Sequence, residues 1–289
     1  MRLSQTELKI IEQIANGITD IKSISNNIKK SNKQIYKSSE KLKDHNFLHL
    51  SNGVLVPGKT THVTLLLQLL REFPNLTIIL SGSGLQIISS LTKPKKIADI
   101  KRETGISKTV IYDKLQQFLD ISAIVRLENN KFLVNKSIWN NLYHFLEEFK
   151  KYEETTDPRV PANSTIYYKN DNEIVFSNNA SLPAIPTGFS AYQEYGIKLL
   201  LPTNYYYLPN KSLTKQEIFL HSLHITEKEQ TIRHKTYTAL FYVKYQKELF
   251  DLIHPLIHKI KQVIQGNQVR DFPSLEEIKE KAELYDIRF

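Results

Sequence analysis

The sequence has no cysteine, which excludes disulfides, thiolate zinc sites and thiol catalysis together. It also lacks any run approaching the ~20 apolar residues that a bilayer crossing needs. The longest apolar runs, around residues 65–70 and 76–80, are soon interrupted. No apolar leader core follows Met1-Arg2-Leu3-Ser4-Gln5, so the expectation is a cytoplasmic protein with no membrane partner. A Gly-Lys-Ser/Thr phosphate loop is missing, as is a GxGxxG spacing. Ser81-Gly82-Ser83-Gly84 therefore reads as a plain turn before a helix. His254 and His258 stand at i, i+4, but Pro255 lies between them and spacing marks no third ligand. No carboxylate pair or Ser/His/Asp arrangement stands out either. A non-enzymatic chain without cofactor or metal is the expectation.

With 289 residues, 40% of them hydrophobic and 24% charged, the chain suits two or three ordinary globular domains. Its charge is unevenly placed. Residues 1–153 hold 23 Lys and Arg against 14 Asp and Glu, whereas residues 154–289 hold 16 of each. The whole excess of nine positive charges thus lies in the first half. Such a half attracts a polyanion, because Lys and Arg release counterions condensed on phosphates.

That basic half contains a weak internal repeat at an offset of 76 residues. The first copy pairs Ile21 and Ile24 with Ser31, Ile35, Tyr36, Leu42 and Leu48; the second pairs Ile97 and Ile100 with Ser107, Ile111, Tyr112, Phe118 and Ile124. In copy two, residues 96–104 suit a helix and Gly105 a left-handed stop. Ser107 suits an N-cap whose hydroxyl bonds the next turn. Residues 108–119 then place Ile111, Leu115 and Phe118 on one helical face. Residues 124–127 and 131–134 read as strands joined by Glu128-Asn129-Asn130. Copy one repeats the order with helices over 7–15 and 21–28 and a third running from Ser31 to about His45. A hairpin follows around Ser51-Asn52-Gly53. The leading helix of copy two is expected over 84–91.

Helix, helix, tight turn, helix and hairpin is the winged helix-turn-helix order. In that module the third helix enters the major groove of double-stranded DNA. The candidate DNA-binding residues are Ser31, Asn32, Lys33, Gln34, Lys37 and Lys41 in copy one. In copy two they are Ser107, Lys108, Thr109, Tyr112, Lys114 and Gln116, with Asn52, Asn130 and Lys131 on the two hairpins. Asn and Gln suit adenine edges, and Lys suits guanine or phosphate. Asp113 on the second helix opposes a polyanion.

Residues 60–73 form an amphipathic helix ended by Pro74, and 76–80 read as a strand or buried segment. Residues 137–152 read as a second such helix, with Ile138, Leu142, Phe145 and Phe149 on one face. Helices in these flanking positions often make dimer contacts, so a homodimer is one expectation. A polar linker follows over 153–158 and 161–164. Strands are then expected near 166–169, 173–176 and 205–208, and a short helix after Thr187. Further helices are expected over 215–223 (capped by Thr214 with Glu217), 231–245, 247–265 and 274–284. The predicted fold class is α+β, with tandem winged helix-turn-helix domains over 1–59 and 81–153. Residues 60–80 supply a linking helix and strand, and 165–289 a mixed α+β C-terminal domain.

Three C-terminal segments carry a family resemblance: Ile185-Pro-Thr-Gly-Phe-Ser-Ala-Tyr-Gln-Glu-Tyr-Gly196, residues 213–223 and residues 273–285. With an N-terminal winged helix, they resemble the AbiEi-like group of type IV antitoxins and related archaeal winged-helix transcriptional regulators. The resemblance implies repression of the protein's own operon through the winged helix. It also implies a C-terminal domain that opposes a nucleotidyltransferase-type toxin partner. Members of that group usually carry one winged helix, and this chain reads as having two.

Overall fold

In the computed structural model, which describes residues 1–289 except Asn52 and Asp171, each of the first three helices starts at a side-chain cap. Ser4 precedes α1 (Gln5–Ala15); its hydroxyl accepts the Glu7 N–H while the Glu7 carboxylate accepts the Ser4 N–H at 2.7 Å. Asp20 caps α2 (Ile21–Ile28), and Ser31 with Gln34 closes a capping box on α3 (Asn32–Asp44). These pairings satisfy amides that a helix start leaves without partners. Leu8, Ile11, Ile24, Ile35 and Leu42 form the buried faces. β1 (Leu48–Ser51) and β2 (Val54–Pro57) pair antiparallel, and Asp20 adds a single bridge to Val54. α4 (Thr61–Glu72) follows and stops before Pro74, which cannot donate to a continuing helix.

Residues 76–80 depart from the strand expectation. They begin with α5 (Leu76–Ile79), a short helix whose amides bond to the carbonyls of Phe73, Pro74 and Asn75. The chain turns back at once after Pro74, so local carbonyls satisfy this backbone and no neighbouring strand is needed.

The second copy repeats the arrangement with α6 (Gly84–Ser90), α7 (Ile97–Thr104), α8 (Lys108–Asp120), β3 (Ile124–Leu127), β4 (Lys131–Val134) and α9 (Asn140–Thr155). Gly105 ends α7 at φ 68°, and Asn129 and Asn130 close the hairpin at φ 58° and 55°, the region asparagine tolerates best after glycine. Lys95 bridges Phe132 much as Asp20 bridges Val54. Two details differ from expectation. Ser107 has the extended backbone of an N-cap, but its hydroxyl makes no cap bond. Ile138 lies before α9 and is 66% exposed, so the buried face of that helix is Leu142, Phe145, Leu146 and Phe149. α9 also runs to Thr155, into the segment expected to be linker.

The chain divides into two compact units, Met1–Pro158 and Arg159–Phe289. In the first, the apolar residues of both copies join in one continuous core. Residues 60–80 belong to that core through Val63, Leu66, Leu70, Leu76 and Leu80.

The second unit is built on a four-stranded antiparallel sheet: β5 (Thr165–Lys169), β6 (Ile174–Asn178), β7 (Ile185–Pro186) and β8 (Asn204–Leu208), in the order β5-β6-β8-β7. Alternation along the strands sends Val175, Tyr205 and Tyr207 into the larger core and Ile174, Phe176 and Tyr206 into a smaller one. The larger core is covered by a 3₁₀ turn over Gly188–Tyr195 and by α10 (Lys215–Glu229), α11 (Ile232–Lys244), α12 (Pro255–Ile264) and α13 (Leu275–Glu283). α12 begins eight residues later than expected, because Pro255 occupies its first turn and His254 caps it through Nδ1. Among the described residues, no helix is long and apolar enough to cross a membrane. The fold is mixed α+β.

Candidate nucleic-acid interface

The helical stripe that buries Ile35, Ser39 and Leu42 turns the other side of α3 outward. Asn32, Lys33, Gln34, Lys37 and Lys41 are all exposed on it, with Ser31 at its start. Gln34 Oε1 is engaged by the Ser31 N–H at 3.2 Å, which makes this residue part of the cap. Lys41 stands 3.8 Å from the buried carboxylate of Glu7. Lys33 and Lys37 form no ion pair among the described residues. Two more lysines, absent from the sequence-derived set, extend this charge. Lys29 and Lys30 are exposed in the turn between α2 and α3, where Lys29 takes φ 54°. The basic residues at the break between two helical patterns were visible in the sequence, but attention to the third helix alone passes over them.

On α8 the picture is mixed. Lys108, Thr109, Tyr112, Asp113 and Gln116 are exposed, with Ser107 at the start. Gln116 is held by Asp120, to which its Nε2 donates at 2.7 Å. Lys114 stands apart from this group. Its ammonium turns inward and donates to the Ile79 carbonyl and to Gln117 Oε1, both at 3.1 Å. Partial burial pushes its pKa down. On the hairpin, Lys131 is exposed, and Asn130 accepts a hydrogen bond from Arg126. Arg126 was not among the predicted residues. It stands two residues from the buried Ile124 on β3, the same side of the strand by period, yet its own side chain is exposed toward the hairpin end. Asn52 lies outside the described residues.

A groove of about 440 Å³ runs between the start of α7, α8 and the β3–β4 hairpin, lined by Lys96, Tyr112, Gln116, Arg126, Asn130 and Phe132. The corresponding place in copy one has closed to about 10 Å³, where Leu48, Leu50 and Leu55 meet Ile21 and Tyr36. The two copies share a framework yet present different surfaces. Copy one offers free cations, and copy two offers a polar recess with Asp113 beside it.

The Ser81-Gly82-Ser83-Gly84 turn serves chain packing. The Gly82 N–H donates to the Leu3 carbonyl at 2.8 Å. A Cβ on Gly84 would come within 2.0 Å of the Ile79 carbonyl oxygen, a position only glycine can occupy. In the second unit, His254 and His258 do not share a helical face, since His254 is the cap residue. His254 Nε2 faces Glu227 at 3.4 Å, and no cluster of three metal-ligating side chains forms among the described residues. The Thr187 hydroxyl and His221 Nδ1 meet at 2.7 Å, both buried, and burial pushes the His221 pKa down to about 4.

No family model matches the chain, and neither does any characterised protein or solved structure.

Proposed function

We propose that the first unit binds double-stranded DNA through two winged helix-turn-helix motifs, and that the protein is a transcriptional regulator, acting as a repressor. The observation that carries this reading is the outer face of α3. It presents Asn32, Lys33, Lys37 and Lys41 in the open, on a half of the chain that holds the entire positive excess. In the winged-helix arrangement the start and outer face of this helix meet base edges and phosphates. Amides at its start suit adenine, and lysines one turn apart suit the phosphates on either side of the groove.

The test is the affinity of the full chain for a mixed-sequence duplex as salt is varied. With about four phosphate contacts, affinity should fall roughly 100-fold between about 50 and about 200 mM salt. The variant Lys33→Ala/Lys37→Ala should bind more weakly and flatten the logarithmic salt slope by about two. Binding that ignores salt, or a variant indistinguishable from the parent, would remove α3 from the interface.

The second unit is the partner-binding or regulatory part in this reading. The antitoxin alternative gives it a nucleotidyltransferase toxin to oppose. Phe250 and Ile253, 66% and 99% exposed ahead of α12, favour a protein-binding surface there. Co-purification with the product of a neighbouring nucleotidyltransferase gene, lost in Phe250→Ser/Ile253→Ser, would support that alternative.

A further inference from the structure

The two copies in the first unit touch each other through equivalent parts. α4 follows the hairpin of copy one as α9 follows the hairpin of copy two, and these two helices pack together. They run antiparallel. His62 in the first turn of α4 lies over Tyr152 near the end of α9, with ring centroids 4.1 Å apart. At the opposite end, Phe73 just past α4 meets Trp139 just before α9 at 4.8 Å. Copies related by a simple translation would place equivalent helices parallel. Antiparallel contact between equivalent helices is what a two-fold axis produces.

A second contact has the same character. Ser4 stands at the N-cap of α1 and Ser83 at the N-cap of α6. The residues just before them, Leu3 and Gly82, are joined directly by a backbone hydrogen bond of 2.8 Å. Arg2 Nε, beside this bond, donates to Gln86 of α6 at 3.0 Å. Leu3 and Gly82 are not themselves equivalent at the 76-residue offset, but their bond sets the starts of the equivalent helices α1 and α6 side by side, as the α4–α9 pair requires. The packing within each copy matches as well, α1 lying on α4 as α6 lies on α9. The first unit has the construction of a two-fold dimer contained in one chain.

We infer that a single chain occupies both halves of a DNA site, α3 at one half-site and α8 at the other; this rests on the DNA reading above. A dimer of winged helices places its two reading helices on half-sites roughly one helical turn apart, about 34–36 Å, or a multiple of that. Here the helices that would recruit a second chain are already paired inside the first. The two half-sites must also differ, because the reading surfaces differ. α3 presents Asn32, Lys33 and Lys37, whereas α8 presents Lys108, Thr109, Tyr112 and Asp113. The ligand is therefore a duplex with two unlike elements, bound by one protomer.

The experiment is selection of a randomised duplex pool with the full chain, followed by sedimentation of the selected duplex with protein. The expected result is two unlike sequence elements about one turn or a multiple apart, and one 33.6 kDa chain per duplex. Lys33→Ala/Lys37→Ala should erase the preference at one element, and Lys108→Ala/Arg126→Ala the preference at the other. Each substitution lies on an exposed side chain, so folding is preserved. Two chains on a symmetric site, a single element, or both variants erasing the same element would overturn the half-site inference and leave DNA binding standing. No enrichment from the pool at low salt would overturn the DNA reading itself, and this inference with it.

Discussion

Phe149→Ala is expected to destabilise the first unit by about 3–5 kcal/mol, the usual cost of emptying a buried phenylalanine site. The side chain is fully buried. It stacks on Phe145 within α9, with centroids 5.6 Å apart, and reaches across to Phe47 and His62 of copy one at 6.5 and 6.1 Å. The cavity would therefore open between the copies, and both should lose stability together. Trp139, the only tryptophan in the chain, lies in this unit and donates its indole N–H to the Ile121 carbonyl at 3.1 Å. Its fluorescence during urea unfolding reports the first unit without interference from the second. A single transition shifted to lower urea is the expected outcome. A loss below about 1 kcal/mol would show that the seam between the copies collapses around the cavity. Two separated transitions would show that the copies fold independently.

Acid should weaken the same unit through His62. This ring is buried among Phe47, Phe149 and Tyr152, and its Nε2 has no hydrogen-bond partner among the described residues. Burial disfavours the imidazolium and lowers the pKa to about 4, against a smaller opposing pull from Glu148. The unfolded chain then takes up a proton below its ordinary value near 6.5, while the folded chain stays neutral until about pH 4. More protons bound in the unfolded state means stability that rises with pH. The stabilisation is complete above about pH 6.5 and is lost as pH falls toward 4, by up to ~3 kcal/mol. His45, whose pKa burial also lowers, adds a smaller change of the same sign. His62→Phe should remove most of this acid sensitivity, read by Trp139 fluorescence in urea at pH 7 and pH 4.5. An unchanged difference between the two pH values in the variant would assign the sensitivity to other groups.

Most of the local structure was legible because it depends on short-range chemistry. Ser31 and Thr214 announce helix starts through caps, and Gly105 and the Asn129-Asn130 pair announce turns through positive φ, whereas the caps at Ser4 and Asp20 emerged only in the structure. The failures fall where tertiary packing decides. Residues 76–80 have the apolar β-branched look of a strand, yet Pro74 and the nearby carbonyls wind them into a helical turn. Ile138 continues the periodicity of α9, but the helix starts two residues later. On the candidate surface, spacing correctly separates the exposed side of α3 from its buried side. Spacing does not reveal that Lys114 bends back to cap the Ile79 carbonyl, because that partner lies 35 residues away in sequence. The pairing of α4 with α9 was equally hidden. An amphipathic stripe shows that a helix needs a partner without naming it.

That pairing has a consequence for how the protein would respond to its own amount. A regulator assembled from two chains must first form a dimer, so at low abundance its occupancy of DNA grows with roughly the square of concentration. In this chain the second copy is always present at the effective concentration set by a covalent connection. Occupancy should then rise in simple proportion to the number of chains, with a Hill coefficient near one. If α3 and α8 read DNA as proposed, each is also free to change alone, since a substitution in α3 leaves α8 untouched. In a homodimer the same substitution would alter both half-sites at once. Joining the copies trades a sharp threshold for a graded response and two independently adjustable contacts.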